Sequence, residues 1–281
     1  SFLFLGSFFN LGIGQENEAQ YLIARLDTQT FNNPSQQYKE FSAYFISENN
    51  ILEYKEAFVG AKSESLRRAI YILPENKNTI PALKQTLENS GFFDLVDIFY
   101  SAIAPGREDR VANEMAASCN NPENYNDPGA LATQHIEKME LPCAWSISHG
   151  CPEISVGVVD VFFANNHPDL PGFIEIKGGC DPNRNVCGHG YASAGGVAGI
   201  VNNNLCVAGA GYNTSLRGYC DGATYMGNPC GGCSVNVNED MWPAYLDGNR
   251  VINVSCSNIS NSPMFIDLVN EMTSNGVNLV V

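Results

Sequence analysis

Two stretches decide the fold: Ile154-Ser-Val-Gly-Val-Val-Asp160, and Gly188-His189-Gly190 leading into Ala194-Gly195-Gly196-Val197-Ala198-Gly199. The first is an apolar run without polar alternation, as expected of a parallel strand covered on both faces, and it ends in a carboxylate. Open parallel sheets build their sites at the carboxyl ends of their strands, so this pattern delivers Asp160 to the productive edge. The second puts a histidine between two glycines, ahead of small residues that predict a helix able to pack closely on such a sheet. Downstream, Val251–Val254 predicts a strand, Phe265–Ser274 a helix and Val277–Val281 another strand. Strands alternating with helices give the expected class, α/β with a doubly wound parallel sheet, over residues 126–281.

Ahead of this lies a region of different character. Residues 19–104 contain no cysteine and read as a small α+β domain. Strands are expected at Tyr21–Leu26, Phe41–Phe45, Ala69–Leu73 and Leu95–Tyr100, and a helix at Ile80–Asn89 from its apolar spacing and the glycine stop at Gly91. Ser63–Ala69 reads as a short helix or the approach to a strand. Residues 105–125 have the proline, glycine and asparagine content of a linker. Residues 1–15, with two uncharged aromatic clusters, read as the remnant of a secretory signal peptide.

The 281 residues carry a formal charge of −15, which argues against nucleic acid as a partner. No segment is long enough to span a membrane. All ten cysteines fall between Cys119 and Cys256. An even number confined to one region points to disulfides and an oxidising compartment. A zinc site built around Cys230-Gly-Gly-Cys233 is the competing reading.

The segments around Asp160 and His189 resemble the aspartate and histidine motifs of the subtilisin-like serine proteases (subtilases, peptidase S8). The resemblance extends to Asn126-Asp127-Pro128, Ala144-Trp145, Asn166-His167-Pro168-Asp169-Leu170, Asn202–Gly209 and Val251-Ile-Asn-Val-Ser-Cys-Ser257. It implies that Asp160 orients His189, which acts as general base, and that Ser255, Cys256 and Ser257 line a cleft binding extended peptides. It implies a propeptide role for residues 19–104, as an intramolecular inhibitor cut free in the linker. Calcium is the one metal it suggests, on Asp169 and Asn203; no cofactor is required for the chemistry. The family's nucleophilic serine and oxyanion asparagine are expected beyond Val281, leaving these 281 residues inactive by themselves. The function so implied is that of a secreted, extracellular serine endopeptidase precursor acting on peptides and proteins.

Three departures bear on that expectation. Asp160 is followed by Val161-Phe162 rather than by Thr-Gly or Ser-Gly, Tyr191 stands where the family has threonine, and Cys256 where leucine is common. They leave a second reading open: a cysteine-stapled, secreted pseudoprotease that binds peptides without cutting them.

Overall fold

The computed structural model describes residues 19–100, 122–132, 135–160, 163, 167–178, 188–220, 237–255 and 262–281. The signal remnant, most of the linker, Cys256, Ser257 and the Cys230–Cys233 pair lie outside the described residues.

The first sheet is antiparallel, in the order β2-β3-β1-β4, from β1 (Ala19–Leu26), β2 (Ile51–Glu56), β3 (Ala69–Pro74) and β4 (Phe93–Tyr100). Its connections carry α1 (Thr28–Asn32), α2 (Gln36–Glu48), α3 (Glu64–Arg67) and α4 (Ile80–Asn89). Strand alternation divides the side chains between two faces. Leu22, Ala24 and Ile72 meet Phe45 of α2 and Leu83 and Leu87 of α4. Tyr21, Ile23 and Tyr71 point the other way, into a different cluster.

The expected strand at Phe41–Phe45 is wrong: these residues lie in α2. Tyr38, Phe41 and Phe45 recur at three- and four-residue spacing and pack on one side, a helical period that the aromatic content of the short window conceals. Ser35 starts this helix, its hydroxyl accepting from the Tyr38 N–H at 3.1 Å. The edge strand β2, half exposed throughout, had no expectation attached to it.

Three short helices, α5 (Pro128–Ala132), α6 (His135–Lys138) and α7 (Leu141–Trp145), lead into the second sheet. That sheet comprises β5 (Ser155–Asp160), β6 (Phe173–Gly178), β7 (Ser215–Cys220), β8 (Val251–Val254) and β9 (Asn278–Val280). Its pairings are all parallel, in the order β6-β7-β5-β8-β9. One face packs on α8 (His189–Ala198) through Val158, Leu216, Ala194 and Ala198. The opposite face packs on α9 (Trp242–Leu246) and α10 (Pro263–Ser274) through Val159, Tyr219, Ile252 and Val254. Helices on both faces make this the expected doubly wound arrangement.

The two sheets share a core. Tyr21, Ile23 and Tyr71 of the first lie in one buried cluster with Trp242, Met264 and Leu268 of the second. Each such side chain withdrawn from water contributes about 1.5–3 kcal/mol. Polar contacts fix the register across the seam. The Trp242 indole N–H donates to the Val59 carbonyl at 3.0 Å, and Arg25 pairs with Asp267 at 3.2 Å. The Glu271 carboxylate accepts from the backbone N–H groups of Lys62 and Ser63, both at 3.0 Å. Those N–H groups sit at the start of α3, whose N-cap Ser63 makes no side-chain cap of its own. A carboxylate from α10 therefore does the work of a helix cap for the other unit.

Candidate active site

Asp160 is the last residue of β5, the central strand, and is 1% exposed. His189 is the first residue of α8, which crosses the face of that same strand. The geometry brings the two together across 29 residues of sequence: the His189 Nδ1–H donates to Asp160 Oδ1 at 2.7 Å. The carboxylate side chain is fully buried while the imidazole is 42% exposed. The ring thus has one nitrogen anchored inside the protein and its opposite edge open to solvent.

The hydrogen bond to Asp160 raises the imidazole pKa above its ordinary value; partial burial opposes this, and the carboxylate charge adds to it. With Nδ1 donating inward, the basic lone pair falls on Nε2, the tautomer that general-base catalysis requires.

The small residues behind His189 let α8 settle into place. At its end a Cβ on Gly209 would lie 2.2 Å from the Gly199 nitrogen, so only glycine permits this approach of two backbones. The Gly209 N–H donates to the Gly199 carbonyl at 3.0 Å in the same contact.

Ser255 follows β8, the neighbour of β5, and its N–H donates to the Val159 carbonyl at 3.3 Å. This puts Ser255 on the same edge as Asp160. Its hydroxyl accepts from the Asn253 side-chain amide at 2.7 Å. Cys256 and Ser257, the other expected cleft residues, lie outside the described residues.

Asp169 and Asn203 also meet: the Asn203 amide donates to Asp169 Oδ1 at 2.8 Å. Oδ2 accepts the Val207 N–H at 2.8 Å, and Asn203 Oδ1 accepts the Leu205 N–H at 2.8 Å. The oxygens that would face a calcium ion are thus occupied by N–H donors, so this pair fits a hydrogen-bonded loop lock rather than a cation cage. Among the described residues there is no cluster of three or more acidic, histidine or cysteine side chains that could hold a metal.

Sequence reasoning gave Asp127 no role, yet it is fully buried and accepts from the Asn202 and Asn203 N–H groups at 2.9 and 3.2 Å. Asn202 and Asn204 both adopt positive φ, at 65° and 60°, a region asparagine enters more readily than most residues. The Asn-rich composition of this loop and the acid in Asn126-Asp127-Pro128 were the available signals. His149 stacks face to face on Tyr212 at 4.1 Å, and His135 lies in α6 with its pKa lowered by burial. Neither approaches Asp160 through any described contact. Of the four described cysteines, Cys143 and Cys220 are disulfide-bonded, whereas Cys151 and Cys206 are exposed free thiols.

Comparison with known proteins places this geometry in context. Residues 152–281 match the model of the subtilase family, peptidase S8. Thermitase of Thermoactinomyces vulgaris is 34% identical over 98 residues, 32% of this chain and 34% of that protein. The match thus spans about a third of the length of this curated relative. Among solved structures, fervidolysin from Fervidobacterium pennivorans, described as a keratinolytic enzyme related to subtilisin, superposes with a TM-score of 0.54 at 17% identity. The superposition covers 96% of this chain and 40% of that one, so the shared fold includes the antiparallel unit as well as the parallel sheet.

Proposed function

We propose that this chain, whose residues 152–281 match the subtilase family, is the front part of a secreted serine endopeptidase precursor. The observation that carries the proposal is the 2.7 Å bond from His189 Nδ1 to the buried Asp160 carboxylate. In the proposed mechanism Nε2 of His189 removes the proton from a serine hydroxyl supplied outside these 281 residues, as that oxygen attacks the substrate carbonyl. Asp160 holds the ring in the required tautomer and stabilises the imidazolium formed. The imidazolium then returns the proton to the leaving amine. Ser255, at the end of β8, serves as cleft wall, where an extended peptide can add to a strand edge.

Residues 19–104 act in this proposal as a propeptide that assists folding and blocks the cleft until the linker 105–125 is cut. The shared core of Tyr21, Tyr71, Trp242 and Met264, together with the Glu271 cap on α3, supports that role. Disulfide-bonded Cys143 and Cys220 support an extracellular location. Among the described residues no helix is long and apolar enough to cross a membrane.

The test uses the full-length protein and a fluorophosphonate probe, which labels only an activated serine. Labelling that disappears in His189→Ala and Asp160→Asn supports the proteolytic reading. Absence of labelling in a correctly folded wild-type protein refutes it. That outcome favours the peptide-binding pseudoprotease, the reading to which Val161, in place of the family's Thr or Ser after Asp160, lends weight.

A further inference from the structure

We infer that Tyr191 is a positioning residue for His189, braced by the His167-Pro168-Asp169-Leu170 turn, which holds α8 at both of its ends. The inference rests on the proposed role of His189 as general base. Tyr191 lies in the first turn of α8, two residues after His189. Its ring packs against that of His167 with centroids 5.2 Å apart and planes tilted by 36°. It also packs on the buried cluster containing Val158, Phe163 and Leu170. Leu170 belongs to the same turn as His167, and the turn is closed by the Leu170 N–H donating to the His167 carbonyl at 3.1 Å.

His167 is itself held: its Nδ1 accepts the Asp169 N–H at 3.3 Å. Asp169 is 1% exposed and its carboxylate is tied to Asn203 and Val207. Just beyond the other end of α8, the Ile200 N–H donates to the Asp169 carbonyl at 2.9 Å. One rigid turn therefore touches the helix near His189 and again past its last residue. The start of α8 needs such support, because its N-cap is Gly188 and no side chain caps it. Rotation of that first turn would swing the imidazole away from a carboxylate fixed on β5. The large ring at position 191 supplies the contact that resists this rotation.

The decisive readout is the titration of His189, followed by carbon–proton NMR of the imidazole signals in the 281-residue chain. The wild-type signal should titrate above the ordinary histidine range, because of the bond to Asp160. Tyr191→Phe, which keeps the ring, should titrate like wild type. Tyr191→Thr and Tyr191→Leu should lose most of the upward displacement, read in samples that circular dichroism shows to be folded. Testing leucine guards against a threonine variant that does not fold, since leucine retains apolar volume without the flat ring. In the full-length protein the same two variants should lower kcat about 10- to 100-fold with KM little changed. Unaltered His189 titration in folded Tyr191→Leu overturns the inference. This outcome is distinct from failure of the proteolytic reading, which shows as absent fluorophosphonate labelling in the wild type.

Discussion

Replacing Glu271 with alanine should loosen the antiparallel unit from the parallel one, and the structure allows the loss to be sized. The carboxylate is 6% exposed and accepts two backbone N–H groups, from Lys62 and Ser63, at 3.0 Å each. A hydrogen bond to a charged group contributes about 1.5–3 kcal/mol, and a buried donor left unpaired costs about 1–3 kcal/mol. Water reaching the vacated space would recover part of this, so about 3–4 kcal/mol is expected, or roughly 100- to 1000-fold in the docking equilibrium. Of the two tryptophans, Trp242 lies at the seam and Trp145 away from it, in the helices that lead into the parallel sheet, so indole fluorescence during urea titration reports undocking. With an m-value of about 2–3 kcal/mol/M the midpoint should fall by roughly 1–2 M. Hydrogen exchange should show the Lys62 and Ser63 amides losing protection before those of β1. Glu271→Gln, which keeps one acceptor oxygen, should lie between. An unchanged midpoint together with unchanged exchange at these two amides would falsify the capping argument.

Three further outcomes follow from other contacts. The raised pKa of His189 contributes stability that is complete below about pH 6.5 and declines as pH rises through the folded-state value. Asp160→Asn should flatten this dependence in pH-resolved melts and, on the proposed function, lower kcat of the full-length protein about 10⁴-fold; a variant retaining the wild-type pH profile contradicts the assigned bond. Asp127→Ala should destabilise the chain by about 2–4 kcal/mol in thermal melts, since it strands the Asn202 and Asn203 N–H groups. Gly209→Ala should fail to yield a stable fold, because its Cβ meets backbone at 2.2 Å, whereas Gly188→Ala, with nothing within 4 Å, should melt like wild type despite adjoining His189. Equal stability of the two glycine variants would contradict the close approach of α8 to the 207–209 segment.

The sequence by itself determined the elements whose environment is uniform along their length. β5 is covered on both faces, so almost every position is under the same apolar constraint and the run is visible without a partner. α4 and α10 expose one side and bury the other, which writes a 3.6-residue period into the chain. Asp160 and His189 were singled out by the resemblance of their segments to the subtilase motifs, since a strand-end acid by itself is a weak signal. Short or edge elements were not: β2 has little buried surface to constrain it, and β7 interrupts its apolar pattern with Arg217 and Gly218. α2 showed its aromatic content more plainly than its period.

Tertiary structure alone decided which distant groups meet. Glu271 lies more than 200 residues from the amides it accepts, Asp127 lies 75 from Asn202, and the His167–Tyr191 contact depends on where a turn falls against a helix. Such pairings leave no period or spacing, because a single hydrogen bond or ring contact constrains one residue on each side. Their strength comes from burial and from the fixed direction of a backbone N–H. Both exist only once the sheets have packed.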